Sequence, residues 1–201
     1  PVVTALIAAT AAVALTGCGA AGASGDDGEH AAAEESSLPP GVMPPNDPPQ
    51  PGDARLGPDG HYDYSAPDFV LNNPCETDAY QVALQNGWEP PVIGKQFKDY
   101  GTFQHCGITK EGTGISIYSH SLSLHEIEEL SSDLRLHEDQ GLTWHTAVVP
   151  GQFGDSCLAG AMGPSGGFGI NIGMGAFSFY NSRDEACGFA TQQFKELFRG
   201  E

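Results

Sequence analysis

Five cysteines punctuate the chain, and the first of them, Cys18, decides how the other four are read. It closes an apolar run from Val2 to Leu15 that is too short to span a bilayer, with small residues in Leu15-Thr16-Gly17-Cys18 just before the thiol. That is the end of a bacterial lipoprotein signal. The peptidase needs small side chains beside the cut, and the next position needs a thiol to carry a diacylglyceryl group. The expectation is a signal peptide over residues 1–17 and an acylated Cys18 as mature N-terminus, on the outer face of the cell membrane. The run opens at Pro1 with neither Met nor a basic residue ahead of it, so the leader is expected to begin upstream.

With Cys18 acylated, Cys75, Cys106, Cys157 and Cys187 remain. An even number in an exported domain reads as two disulfides. Three pairings are possible, and sequence alone does not choose among them. Cys75 with Cys106 and Cys157 with Cys187 is favoured, since each closes a loop of about 31 residues, worth roughly 3 to 4 kcal/mol by chain entropy. A zinc site needs close pairs such as C-x-x-C, and the sequence has none.

The net charge is -18, and the stretch from Gly19 to Asp68 holds ten of the 26 acidic residues against one base, Arg55. Such a balance argues against nucleic acid and against electrostatic docking to anionic lipid, so a lipid anchor rather than charge is expected to hold the protein at the membrane. Nine of the fifteen prolines lie between Pro39 and Pro67, and apolar residues are sparse. Residues 18–68 therefore read as a disordered acidic stalk carrying a globular domain over 69–201.

Within that domain Thr77 caps a helix from Asp78 to Asn86 that Gly87 stops. Phe103 to Lys110 and Ile115 to Ser121 alternate as strands around Glu111-Gly112-Thr113-Gly114. Ser123 and Glu126 make a capping box for a helix from Leu124 to about Asp139, ended by Gly141. Strands are expected over Thr143 to Val149, Ser156 to Met162 and Gly167 to Gly175. A last helix starts from Ser182 and Glu185 and buries Ala186, Ala190, Phe194, Leu197 and Phe198. The fold class is α+β: an antiparallel sheet of about five strands with three packed helices.

The most distinctive stretch runs from Phe168 to Gly175. On a strand it puts Phe168, Ile170, Ile172 and Met174 on one face and Gly169, Asn171, Gly173 and Gly175 on the other. The second face is a bare strip, open to one of the protein's own helices or to an apolar ligand or added peptide strand. Neither phosphate-loop pattern occurs. His120, His125 and His137 with Glu126 and Glu129 invite a metal, but no pair has H-x-x-x-H spacing, and His125 with Glu129 fits a solvated helix pair. There is no G-x-S-x-G, and no residue is singled out as catalytic. Trp88, Trp144, Tyr100, Phe103 and Tyr118 could line a pocket, although core packing is the commoner role of aromatics.

From Phe69 to Phe198 the chain resembles a family of actinobacterial lipoproteins catalogued as Domain of Unknown Function 3558. The resemblance rests on the lipobox, on Asn73-Pro74-Cys75-Glu76 opening a helix and on Cys106-Gly107-Ile108 leading into a hairpin. Gly151, Gly154 and Cys157 before a strand, and Cys187-Gly188-Phe189-Ala190 in the last helix, complete it. Ile108 stands where family members often have Trp. The resemblance implies location and fold, with no established activity.

The function expected is a non-catalytic binding domain for a cell-envelope ligand, whether lipid, polymer or protein, with no cofactor. The alternative is an accessory subunit of a membrane protein complex, and a weaker one an envelope hydrolase.

Overall fold

Alternating side chains build the centre of the molecule. The computed structural model describes residues 38–139, 142–151, 154–174, 180 and 182–199; Cys18 lies outside them. Seven strands form one antiparallel sheet: β3 (Phe97–Asp99), β4 (Phe103–Lys110), β5 (Thr113–His120), β6 (Asp133–Asp139), β7 (Leu142–Val149), β8 (Ser156–Gly163) and β9 (Gly166–Gly173). Their order is β3-β4-β5-β9-β8-β7-β6. A small hairpin, β1 (Arg55–Leu56) with β2 (Tyr62–Asp63), stands apart from it.

Register decides the faces. Cys106, Ile117, Ile170, Ala159 and Thr146 lie in one cross-strand row. Together with Ile108, Ile115, Ile172, Ala161 and Trp144 they face α1 (Asp78–Gln85) and α3 (Arg183–Arg199), whose Ala79, Ala83, Ala186, Ala190, Phe194 and Leu197 fill the main core. Each such large apolar side chain contributes about 1.5 to 3 kcal/mol when buried. Thr77 caps α1 by accepting from the Tyr80 N–H, and Gly87, at φ 82°, lets the chain leave. Two disulfides pin these helices to the sheet: Cys75–Cys106 at the start of α1 and Cys157–Cys187 from β8 to α3, with Cα atoms 5.2 and 5.3 Å apart. The favoured pairing is the one observed.

The opposite face carries α2 (Leu124–Leu130), held by the full capping box of Ser123 and Glu126. Its Ile127 packs on Tyr118, Ala147 and Leu158.

Three expectations need correction. The sheet has seven strands rather than about five. Phe97–Asp99 is only three residues long and sits at the edge beside a loop that Pro90-Pro91 interrupts, so it carries almost no periodic signal. The helix expected over 124–139 ends at Leu130. Ser131 and Ser132 break it, and Asp133–Asp139 pairs with β7, because Leu134 and Leu136 alternate with polar neighbours and tertiary pairing outweighs helix propensity. Gly141 lies outside the described residues.

The stalk is the third correction. From Leu38 the chain belongs to the same compact unit as the sheet. Val42 bridges Met162 in parallel, filling the place beside β8 that β7 leaves, while Tyr62 and Tyr64 hydroxyls donate to the Met43 and Gly163 carbonyls at 3.0 and 2.9 Å. Val42, Ala54, Tyr62 and Met162 form a small core of their own. A few well-placed anchors suffice here, because the prolines between them already hold the backbone extended.

Candidate functional site

Tyr118 and Gly169 are register partners, as are His120 and Gly167, so the glycines leave room for two rings to lie flat across β9. A Cβ on Gly167 would run into the His120 ring, and one on Gly160 into the Tyr118 hydroxyl. Phe103 stacks on both rings, at 5.4 Å from Tyr118 and 6.3 Å from His120. The upper half of the strip is thus filled by side chains of β5, neither by a helix nor by open space. The signal in sequence was the spacing of Tyr118 and His120 on a strand able to face the glycines.

Burial has a chemical cost there. His145 is fully buried one strand beyond Gly160. Both its ring nitrogens, the His120 Nε2 and the Tyr118 hydroxyl make no hydrogen bond among the described residues. Desolvation pushes His120 down to about 4 and, with the neighbouring His120 and His137, His145 to about 3, so both rings are neutral at pH 7. His120 Nδ1 accepts from the Leu122 N–H, which assigns its proton to Nε2.

The other half of the strip stays open. Gly173 is exposed with nothing within 4 Å of a Cβ, and Gly175 lies outside the described residues. Asn171 and Gly173 line a cavity of mixed polarity, about 350 Å³, with Lys95, Lys98, His105, Ser116 and Ser156 and with the apolar Pro91 and Ile93. The loop before β3 forms its rim, and Gly107 lets Pro91 pass close over β4. His105 Nδ1 and Ser116 Oγ are hydrogen-bonded at 3.1 Å. Burial and then the Lys98 charge hold His105 below the ordinary histidine value. Its Nε2 meets no carboxylate, so the pair lacks the orienting group that activates a serine.

A second, apolar site lies on the α1/α3 face under the strap of residues 43–46. Two cavities of about 300 and 290 Å³ share Met43, Phe168 and Phe198. The first continues past Ile117, Pro44 and Pro164 to a polar mouth at Asn46, Asn72 and Asp78; the second ends against Leu142 and Phe194. Strap, helix and sheet come from distant parts of the chain, so no local motif could announce this space.

The remaining sequence candidates are scattered. His125 is exposed and pairs with Glu128 and Glu129 at 3.8 and 3.5 Å. His137 bonds Thr146 Oγ1 at 2.9 Å and stacks on Trp144. His120 is buried on the other face of the sheet, and the described residues hold no cluster of three or more His, Cys, Asp or Glu able to take a metal. Trp88 and Trp144 belong to the main core, and Tyr100 is exposed. No helix among the described residues is long and apolar enough to cross a membrane. Compared with family models, curated proteins and solved structures, the chain matches none.

Proposed function

We propose that the protein is a lipoprotein held on the outer face of the cell membrane through acylated Cys18, and that its domain binds an apolar envelope ligand without catalysing a reaction. The observation that carries this reading is the pair of adjoining cavities around Met43, Phe168 and Phe198. Their combined shape, apolar inside with polar side chains at one mouth, suits a chain or ring bearing a single polar end. The lipobox and the resemblance to the Domain of Unknown Function 3558 lipoproteins support the location, as do two disulfides, which persist where oxidation is allowed.

The test is mass spectrometry of organic-extractable material that co-purifies with the full chain after mild detergent extraction. It is repeated on Ala79→Leu, which narrows the first cavity. A defined small amphiphile present in the parent and depleted in the variant is the expected result. No such species, or equal loading of both proteins, overturns the reading.

An envelope hydrolase draws on one observation, the contact between His105 and Ser116. Turnover of an envelope ester that Ser116→Ala abolishes would establish it in place of the binding reading. An accessory subunit would instead be recovered with a stoichiometric membrane partner.

A further inference from the structure

The chain has eight basic residues against 26 acidic ones. Four of the eight are held by carboxylates: Arg55 by Asp68, Arg135 by Asp133, Arg183 by Asp155 and Lys195 by Asp139. Lys110 donates to the Asn86 carbonyl. Lys95 and Lys98 alone, among the side chains described, have neither kind of partner, and both line the cavity beside β3. No acidic residue lines that cavity. Asp99, next to Lys98, turns to the opposite face, where it accepts from Gln104 and the Gly101 N–H.

Beside these lysines stand the most exposed large apolar residues described. Val92 is 95% exposed, Ile93 90% and Tyr100 66%. All three fall within nine positions of one another on the loop and edge strand that carry Lys95 and Lys98. Two aliphatic side chains, one of which, Ile93, also lines the cavity, an amphipathic ring and two unpaired lysines around a concave floor of mixed polarity make the pattern of a surface that sits at a membrane interface. We propose that this edge docks on the bilayer. The phosphate of an anionic phospholipid would enter the cavity between Lys95 and Lys98, within reach of Ser116 and Asn171, while Val92 and Ile93 pass into the acyl layer.

Net charge does not forbid this. Screening confines a surface charge to about 8 Å at physiological salt, so distant carboxylates weigh little against two lysines at the contact. The surface itself does not depend on the anchor, nor on what fills the apolar cavities.

The test uses the full chain carrying Cys18→Ser, which removes acylation, and sedimentation with vesicles of phosphatidylcholine alone or mixed with phosphatidylglycerol. Binding is expected only with phosphatidylglycerol, weakening as salt rises. Lys95→Ala with Lys98→Ala should lower it about thirtyfold, at roughly fivefold per lysine at an anionic surface. Val92→Ser with Ile93→Ser should lower it roughly tenfold or more. Lys95→Arg with Lys98→Arg and the remote Arg55→Ala should leave it intact, with unchanged thermal unfolding throughout. Equal partition onto both vesicles, or lysine variants that bind like their parent, overturns the proposal. So does saturable binding of inorganic phosphate at the lysines without vesicle binding, which would make this a free-anion site.

Discussion

Two glycines on one strand and one face should behave in opposite ways when given a methyl group. At Gly169 a Cβ would overlap the Ala159 carbonyl and lie 2.6 Å from the Gly160 Cα, in the middle of the sheet beneath Tyr118. The β8 backbone cannot retreat without disturbing its pairing on both sides, so Gly169→Ala should cost at the upper end of the overpacking range, about 3 kcal/mol. At Gly173 a Cβ meets nothing within 4 Å, and the alanine gains from a less flexible unfolded chain, by about 0.4 to 1 kcal/mol. The two variants should therefore differ by about 3 to 4 kcal/mol. In a domain of this size that is roughly 6 to 16 °C in Tm. Urea unfolding of both variants beside the parent, followed by circular dichroism with an unchanged m-value, measures it. Equal midpoints for the two variants would falsify the account of β8 backbone packed directly against Gly169.

Acid should unfold the protein early. The unfolded imidazole binds a proton near pH 6.5, whereas buried His120 and His145 stay neutral down to about 4 and 3, so stability is complete above pH 6.5 and falls as pH drops toward 4. Each pH unit in that window should remove about 1.4 kcal/mol per histidine. His145→Phe, which also deletes two unpaired nitrogens, should flatten the slope of urea stability between pH 6.5 and 4.5 by about 1.4 kcal/mol per pH unit; an unchanged slope argues against the burial. Cys157→Ala with Cys187→Ala should cost about 3 to 4 kcal/mol, read as a lower urea midpoint, since the bridge closes a loop across 30 positions. Ser123→Ala removes the cap of a seven-residue helix and should cost about 1 kcal/mol, about 2 to 4 °C in Tm.

Where a signal is local, the chain carries it openly. Thr77, Ser123 and Ser182 each name a helix start, because a cap is a contract between residues two or three apart; in all three the side-chain oxygen accepts from a backbone N–H of the first turn. The hairpin at Glu111-Gly112 was readable too, although β5 begins at Thr113 and the turn is tighter than expected: both central residues take positive φ, at 51° and 84°. The alternation from Phe168 to Ile172 was enough to separate a core face from a glycine face. Loop length favoured the observed cysteine pairing, but the choice among three was made by the structure, which brings Cys75 to Cys106 and Cys157 to Cys187.

What lay beyond the sequence were the choices made by partners far apart in the chain. Asp133–Asp139 has the charged composition of a helix and became a strand because β7 offered a free edge. Leu38 to Asp68 has the composition of a spacer and became part of the body because Met162 and Gly163 present open backbone groups to Met43 and Tyr64. Both candidate sites share that origin. The glycine strip was visible, but whether it lay open depended on which strand came to lie beside it: β5 brought two rings over Gly167 and Gly169 and left Asn171 and Gly173 facing Lys98. Local sequence determines which conformations a segment can adopt at little cost, and only packing against distant segments, which desolvates one of them, determines which is kept and what space is left between.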